Sequence, residues 1–502
     1  MRPESDEFEY SEATVRDLQD GMATRQFNAA ELTASYISRI EDLDSSRLEL
    51  RAVIEINPEA VGIAEHMDQE RRSGRVRGPL HGIPILVKDN MDTADSMSTT
   101  AGSMALEGWH ARRDADVVAR LRAAGAVVLG KTNLTEWSNF RSAHSVSGWS
   151  ARGGQCRNPY SLDRTPWGSS AGSGVAVAAN FAAAALGTET DGSIVVPSAA
   201  ACLVGIKPTV GLTSRGGVIP ISSSQDTVGP MARTVADAAL VLSAIAEPAA
   251  DYSAALVPGG LRGARIGIPR RKLFGYSRAL DGLVDEAIKA MEGLGAVVVD
   301  PADLRTADEM GFLGPELTVL LYEFKDGINR YLEGVEVNSG VKSLGDLIRF
   351  NEEHREIEMR FFGQELFEQA QEKGGLTEAE YVKALTESHR MSRDDGIDAV
   401  MRQFGLDALV MPTATMPCKI DQLNGDHITG VGSTPAAQAG YPAINVPIGF
   451  VDEVPGGLIF VGQPYSEASL IRLAFDYEQA TLHRRPPRFL PATRPSTAGG
   501  DS

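Results

Sequence analysis

A chain of 502 residues, 43% hydrophobic and 23% charged, carries enough apolar material for a large core and has the composition of an ordinary soluble protein. Its net charge of −19, with no block of Lys or Arg, excludes nucleic acid as a leading partner, because neutralising phosphates supplies most of that affinity. Cys156, Cys202 and Cys418 form no CxxC pair, so neither a disulfide framework nor a cysteine zinc site is indicated, and no metal or cofactor is called for.

The opening MRPESDEFEYSEATV is polar and acidic, without a basic segment followed by an apolar core. Cytoplasmic residence is therefore the default expectation, with export left open if the sequence is a trimmed piece. Asn28, with Glu31 three residues on, predicts a capping-box start to an amphipathic helix. Arg51 to Ile56 reads as a short strand and Asn57-Pro58 as the opening of a second helix through Arg72. Gly82 to Asn90, GIPILVKDN, is an apolar strand that stops at a charged pair, and Asp114 to Asn133 reads as helix, glycine stop and buried strand. The Ala-rich run from Val175 to Gly187 is too short to span a bilayer and is predicted to be one buried helix. No membrane segment is expected. Ala264 to Asp300 repeats the strand, helix, strand alternation, and residues 301–400 change to long charged helical stretches. Strands return at Asp407 and Ala443, and the Pro, Gly and Ser rich residues 491–502 read as a disordered tail. The fold class expected is α/β: a mixed central sheet covered by helices on both faces. It is expected to fill one domain over residues 1–490, with a helical N-terminal segment near 10–75 and a helical layer near 301–400.

Trp167 to Gly174, WGSSAGSG, contains GxSxG, which in one hydrolase class puts a serine nucleophile on a tight turn between a strand and a helix. That reading nominates Ser170, but the preceding RNPYSLDRTPW is a loop, and only His427 sits where a partner histidine could serve. A phosphate-cradling reading lacks the GK[ST] that should follow, and a plain Gly/Ser turn leaves Ser169 and Ser170 unexplained. Further on, GTETDGSI supplies Ser193 and a run of backbone N–H groups able to converge as an oxyanion hole. A serine nucleophile needs a base. Lys88, at the end of an apolar strand, is the candidate, since burial lowers a lysine's pKa and exposes a neutral amine. The alternative is a strand-end lysine reaching solvent or paired with Asp89.

Taken in order, GIPILVKDN, GKTNLTEWS, GSSAGSGVAVAAN, GTETDGSI, GIKPTVGL and DTVGPMARTVADAA resemble the amidase signature family. The likeness resumes at AGYPAINVPIG and EQATLHRRP, and SGWSARGGQ, LLYEFK and FGQELF point to the peptide-amidase branch. The resemblance implies an amide hydrolase with a Ser/cis-Ser/Lys triad: Ser193 as nucleophile, Ser169 as relay and Lys88 as base. It implies oxyanion donors at Thr190, Asp191, Gly192 and Ser193, with Ser170 and Asn133 in support and Glu136 organising nearby loops. Trp149, Gly153 and Gln155 are candidates to line the substrate channel, and Met411 and Thr413 in MPTA either line it too or end a core strand. Asp226, Arg233 and Asp237 are read as ion pairs and helix caps. Two departures stand out: Glu189 and Asp191 replace Asp and Gly in the commoner GTDTGGS, and Ala171 occupies a glycine position. Asp191 is expected to turn its side chain away from the oxyanion. The implied substrate is a C-terminal peptide amide, with anilides or small amides, or service as one subunit of an amidotransferase, as alternatives; the oligomeric expectation is monomer or homodimer.

Overall fold

The computed structural model describes residues 8–493, so residues 1–7 and 494–502, with most of the expected tail, lie outside the described residues. Just inside that limit, the Thr493 N–H donates to Ser161 Oγ at 3.1 Å. In chain order the strands are β1 (Val53–Ile56), β2 (Pro84–Lys88), β3 (Val127–Thr132), β4 (Trp149–Ser150), β5 (Gly154–Gln155), β6 (Ala184–Glu189) and β7 (Val204–Lys207). They continue as β8 (Thr227–Ala232), β9 (Arg265–Gly267), β10 (Val297–Val299), β11 (Ala408–Pro412), β12 (Ala443–Val451) and β13 (Val454–Val461). Eleven of them form one sheet in the order β1-β3-β2-β6-β8-β7-β12-β13-β11-β9-β10, and β4 and β5 pair as a separate ribbon. The sheet is mixed: β3, β2 and β6 run parallel, as do β11, β9 and β10, while β6 through β13 pair antiparallel between them. Every residue of β2, β3, β6 and β8 is buried, as expected of strands covered by helices on both faces.

The capping box at Asn28 is present: its side chain accepts from the Glu31 N–H at 2.9 Å, and Glu31 accepts from the Asn28 N–H at 2.9 Å. The Ala-rich run corrects the sequence reading. It is not one helix but a helix, Ala171–Ala178, a reversal at Asn180 (φ +60°), and the strand β6. Asn180 takes the left-handed conformation that ends helices. The carbonyls released there are capped from a distance by Arg39 Nε on Ala179 O (2.8 Å) and by Arg233 on Ala182 O (2.9 Å) and Val177 O (3.3 Å). Arg233 thus does cap a helix end, and Asp237 accepts from the Val15 N–H at 3.0 Å. Because the run reverses, the loops before Ala171 and after Glu189 emerge at the same end of the sheet.

Within residues 301–400 the helices Pro315–Glu333, Leu344–Glu353, Glu365–Gln371 and Ala379–His389 form the expected layer. Its core residues Leu320, Leu321, Phe324 and Phe367 pack against Trp137, Phe140, Ile219 and Ile221, which fixes the loops beside the strand ends. Among the described residues no helix is long and apolar enough to cross a membrane.

Candidate active site

The carboxyl ends of the parallel neighbours β2 and β6 lie side by side, with Val87 opposite Leu186. Parallel strands deliver the residues that follow them to one edge, the usual place for a ligand site. Lys88 is the last residue of β2, β6 runs into Thr190–Ser193, and Ser169 sits just before the helix Ala171–Ala178.

The Lys88 Nζ lies 2.7 Å from Ser169 Oγ and donates to Thr188 Oγ1 at 2.8 Å; Thr188 O is 3.5 Å away. Asp89 is not its partner: that carboxylate accepts from the Thr100 hydroxyl and from the Thr100 N–H. Lys88 is fully buried, and burial lowers its pKa from 10.5 to about 7, against the opposing pull of Asp226 and Glu189. A neutral amine has two N–H donors and one lone pair. With the donors on Thr188, the lone pair faces the Ser169 hydroxyl. The Gly168-Ser169 peptide bond is cis, and Ser169 O accepts from the Thr135 N–H at 3.0 Å.

Ser170 ties the two serine loops together. Its Oγ donates to Thr188 O (3.1 Å) and accepts from the Thr188 N–H (3.2 Å), while its own N–H donates to Ser193 O (3.2 Å). It fits beneath Gly187, where a Cβ would stand 2.8 Å from Ser170 Oγ. No strand leads into this serine, and His427 is exposed on a separate loop, so the GxSxG elbow is not built. Ala171 opens the helix without a left-handed backbone; the close approach falls at Gly172 instead, where a Cβ would lie 2.2 Å from Ala52 O. Asn133 O accepts from the Gly172 N–H at 3.0 Å, and its side chain holds Ser150, Gly154 and Arg51.

The turn Thr190–Ser193 is braced on every side. Thr190 Oγ1 donates to Asp226 (2.6 Å), whose other oxygen accepts from the Ile221 and Ser222 N–H groups (2.8 Å each). Asp226 therefore stands closer to the chemistry than an ordinary core ion pair. Asp191 accepts from Ser433 Oγ (2.5 Å) and Thr434 Oγ1 (2.7 Å), and Glu189 accepts from the Ile194 and Val195 N–H groups (2.7 and 3.0 Å). Burial raises the pKa of all three carboxyls. Both acidic departures from the common motif are thus occupied by donors behind the turn. Among the described residues, none accepts from the N–H of Asp191, Gly192 or Ser193.

Ser193, 8% exposed, opens onto a cavity of about 480 Å³, whereas Ser169 (1%) and Lys88 (0%) lie sealed beneath it. Phe140, Trp167, Met310, Phe312 and Leu320 give apolar walls, and residues 428–431 cross one side. The expected channel residues are not among the lining. Trp149 packs edge-on against Phe361 and Phe362, and Gln155 donates to Ser147 O and Cys156 O, because β4 and β5 fold onto the helical layer. Gly153 is pressed on the Asn133 side chain, Met411 is fully buried in β11, and Thr413 donates to Asn445 Oδ1 (2.6 Å).

Residues that sequence reasoning passed over complete the site. Thr188 accepts from Lys88, and Gln225 links Thr190 O (3.3 Å) to the buried Glu316 (2.9 Å) of the helical layer. Trp137, Ser138 and Asn139 take positive φ (+52°, +53° and +72°), a run uncommon for non-glycine residues, and Ser138 and Asn139 line the cavity. The GKTNLTEWS motif ends in Trp137 and Ser138 and was the signal for that loop. Glu136 at its start pairs with the buried Arg141 at 2.6 Å.

Residues 31–471 match the family profile described as Amidase. A probable amidase of Arabidopsis thaliana is 41% identical over 97% of this chain and 93% of its own length. The crystal structure of a peptide amidase from Stenotrophomonas maltophilia superposes with a TM-score of 0.90 at 49% identity, covering 96% of this chain and 99% of that one. A peptide amidase in complex with the competitive inhibitor chymostatin gives 0.91 at 49% identity, covering 96% and 100%. The A subunit of the glutamyl-tRNA(Gln) amidotransferase of Symbiobacterium thermophilum is 34% identical over 91% of this chain and 94% of its own length.

Proposed function

The chain belongs to the amidase family and is an amide-hydrolysing enzyme, and from that premise we propose that it removes the C-terminal carboxamide of peptides, releasing ammonia, through Ser193, Ser169 and Lys88. The proton of Ser193 passes to Ser169 Oγ as the Ser169 proton passes to the neutral Lys88 Nζ, and Ser193 Oγ attacks the amide carbonyl carbon. The N–H groups of the Thr190–Ser193 turn receive the oxyanion. Return of the proton through Ser169 to the leaving nitrogen breaks the C–N bond and leaves an acyl-enzyme. Water, deprotonated by the same relay, then releases the acid.

The observation that carries this reading is the buried Lys88 amine held 2.7 Å from Ser169 Oγ, beneath a serine that opens onto the cavity. The peptide substrate is supported by the 49% identity to two peptide amidase structures. Ammonia release from a panel of peptide amides, set against amine release from anilides with Ser193→Ala as the blank, tests it. Efficient anilide cleavage with inert peptide amides would make the chain an aryl acylamidase instead. The likeness to amidotransferase A subunits favours a second reading in which ammonia is passed to a partner. Amide hydrolysis by the purified chain alone counts against that role.

A further inference from the structure

One wall of the cavity carries main-chain groups that the bond-breaking chemistry leaves unused. Ala414 and Val431 form an antiparallel bridge in which the Thr415 N–H donates to Gly430 O (2.9 Å) and the Gly432 N–H donates to Thr413 O (2.8 Å). This is the non-hydrogen-bonded pairing of an antiparallel ladder, where the amides of alternate residues face opposite edges. Gly430 O and the Gly432 N–H therefore use the inner edge, and Val431 between them directs its N–H and C=O to the outer one, while Thr429 is held through its side chain, which donates to Thr415 Oγ1 at 2.8 Å. Among the described residues, none bonds to the main chain of Val431 or Thr429. Both residues line the cavity, as do the exposed Ile428 and Phe312. Two residues beyond Val431, the Ser433 hydroxyl holds Asp191 at 2.5 Å. The open edge thus runs directly into the turn where the reacting carbonyl would sit.

We propose that Thr429–Val431 is a docking edge for the peptide part of the substrate, which lies along it as an added strand paired main chain to main chain. The inference rests on the peptide-amide reading and sharpens it. Strand addition takes affinity from backbone hydrogen bonds, so it accepts varied side chains while requiring a peptide backbone upstream of the amide. A carboxamide on a short acyl group would reach Ser193 but leave the edge empty.

The test keeps the protein unchanged and alters the substrate. Tripeptide amides carrying an N-methyl group at one backbone nitrogen at a time are compared with the unmethylated parent. Pairing along an edge has a two-residue period, so methylation that deletes a paired N–H is expected to lower kcat/KM about tenfold or more, with little effect at the adjacent nitrogen. A flat or steadily graded scan on a well-cleaved parent overturns the docking edge and leaves the peptide-amide reading standing. A parent that is not cleaved while anilides are overturns both.

Discussion

Replacing Lys88 by Met removes a buried amine while keeping a side chain of similar length and apolar stem. In the folded protein its pKa is lowered by burial from 10.5 to about 7. Below pH 7 the unfolded chain holds the proton easily, while the fold holds it only against desolvation. A penalty of about 5 kcal/mol is fully present there, each tenfold loss of proton affinity costing about 1.4 kcal/mol. It fades as pH rises from 7 towards 10.5, leaving about 2 kcal/mol at pH 9. Lys88→Met should therefore gain stability relative to wild type, and the gain should be about 3 kcal/mol larger at pH 6 than at pH 9. Subtracting the two conditions cancels the change in side-chain packing, which does not depend on this titration. Urea denaturation of both proteins at the two pH values reads the quantity directly, and kcat should fall by at least about 10²-fold. An equal stability change at both pH values would mean that Lys88 keeps an ordinary pKa inside the fold. It could not then act as a neutral base.

Ser193→Ala should abolish turnover and the phosphonylation of the protein by a serine-directed fluorophosphonate, and labelling that persisted on Ser170 would contradict the assignment. Ser169→Ala should lower kcat by about 10²- to 10⁴-fold with the cavity intact, checked by unchanged binding of a competitive inhibitor. Because Lys88 must be deprotonated to accept a proton, kcat/KM should rise with pH through about 7, and a profile flat from pH 5 to 9 would remove the lysine from the rate law. Gly172→Ala puts a Cβ 2.2 Å from Ala52 O and 2.5 Å from Asn133 O, both backbone, and should destabilise by about 1–3 kcal/mol. Gly62→Ala, at an exposed position of the helix Ala60–Arg72 with nothing within 4 Å, should instead stabilise by about 0.5–1 kcal/mol, with urea denaturation reading both glycine variants.

The strand at Pro84–Lys88, the helix–strand pair after Asp114 and the Gly-rich loops were legible because each is a contiguous signal of apolar run, cap or glycine. The alanine run was not: composition alone gives helix, and the reversal at Asn180 depends on guanidinium groups of Arg39 and Arg233 arriving from distant parts of the chain. The same limit governs the site. Lys88, Ser169 and Ser193 stand in short motifs at strand and helix ends, whereas the cavity wall is assembled from 138–147, 272–312 and 424–435, whose meeting only the tertiary fold decides. Trp149 and Gln155 were misplaced for that reason, since their ribbon turns to Phe361 and Phe362 and not to the cavity. The left-handed run at Trp137 to Asn139 contains no glycine to announce it.

The division between floor and wall also bears on how such a protein can change over generations. The proposed proton-transfer set is encoded within residues 88–193, and about half of the cavity lining is encoded after residue 270. A crossover between the helix Val235–Ile245 and β9 would hand on Lys88, Ser169 and Ser193 together from one parent and about half of the wall from the other. Substitutions in the wall other than at Ser433 and Thr434, which brace Asp191, leave the partners of Lys88 in place, so substrate range and the proposed chemistry are exposed to selection as partly separate traits.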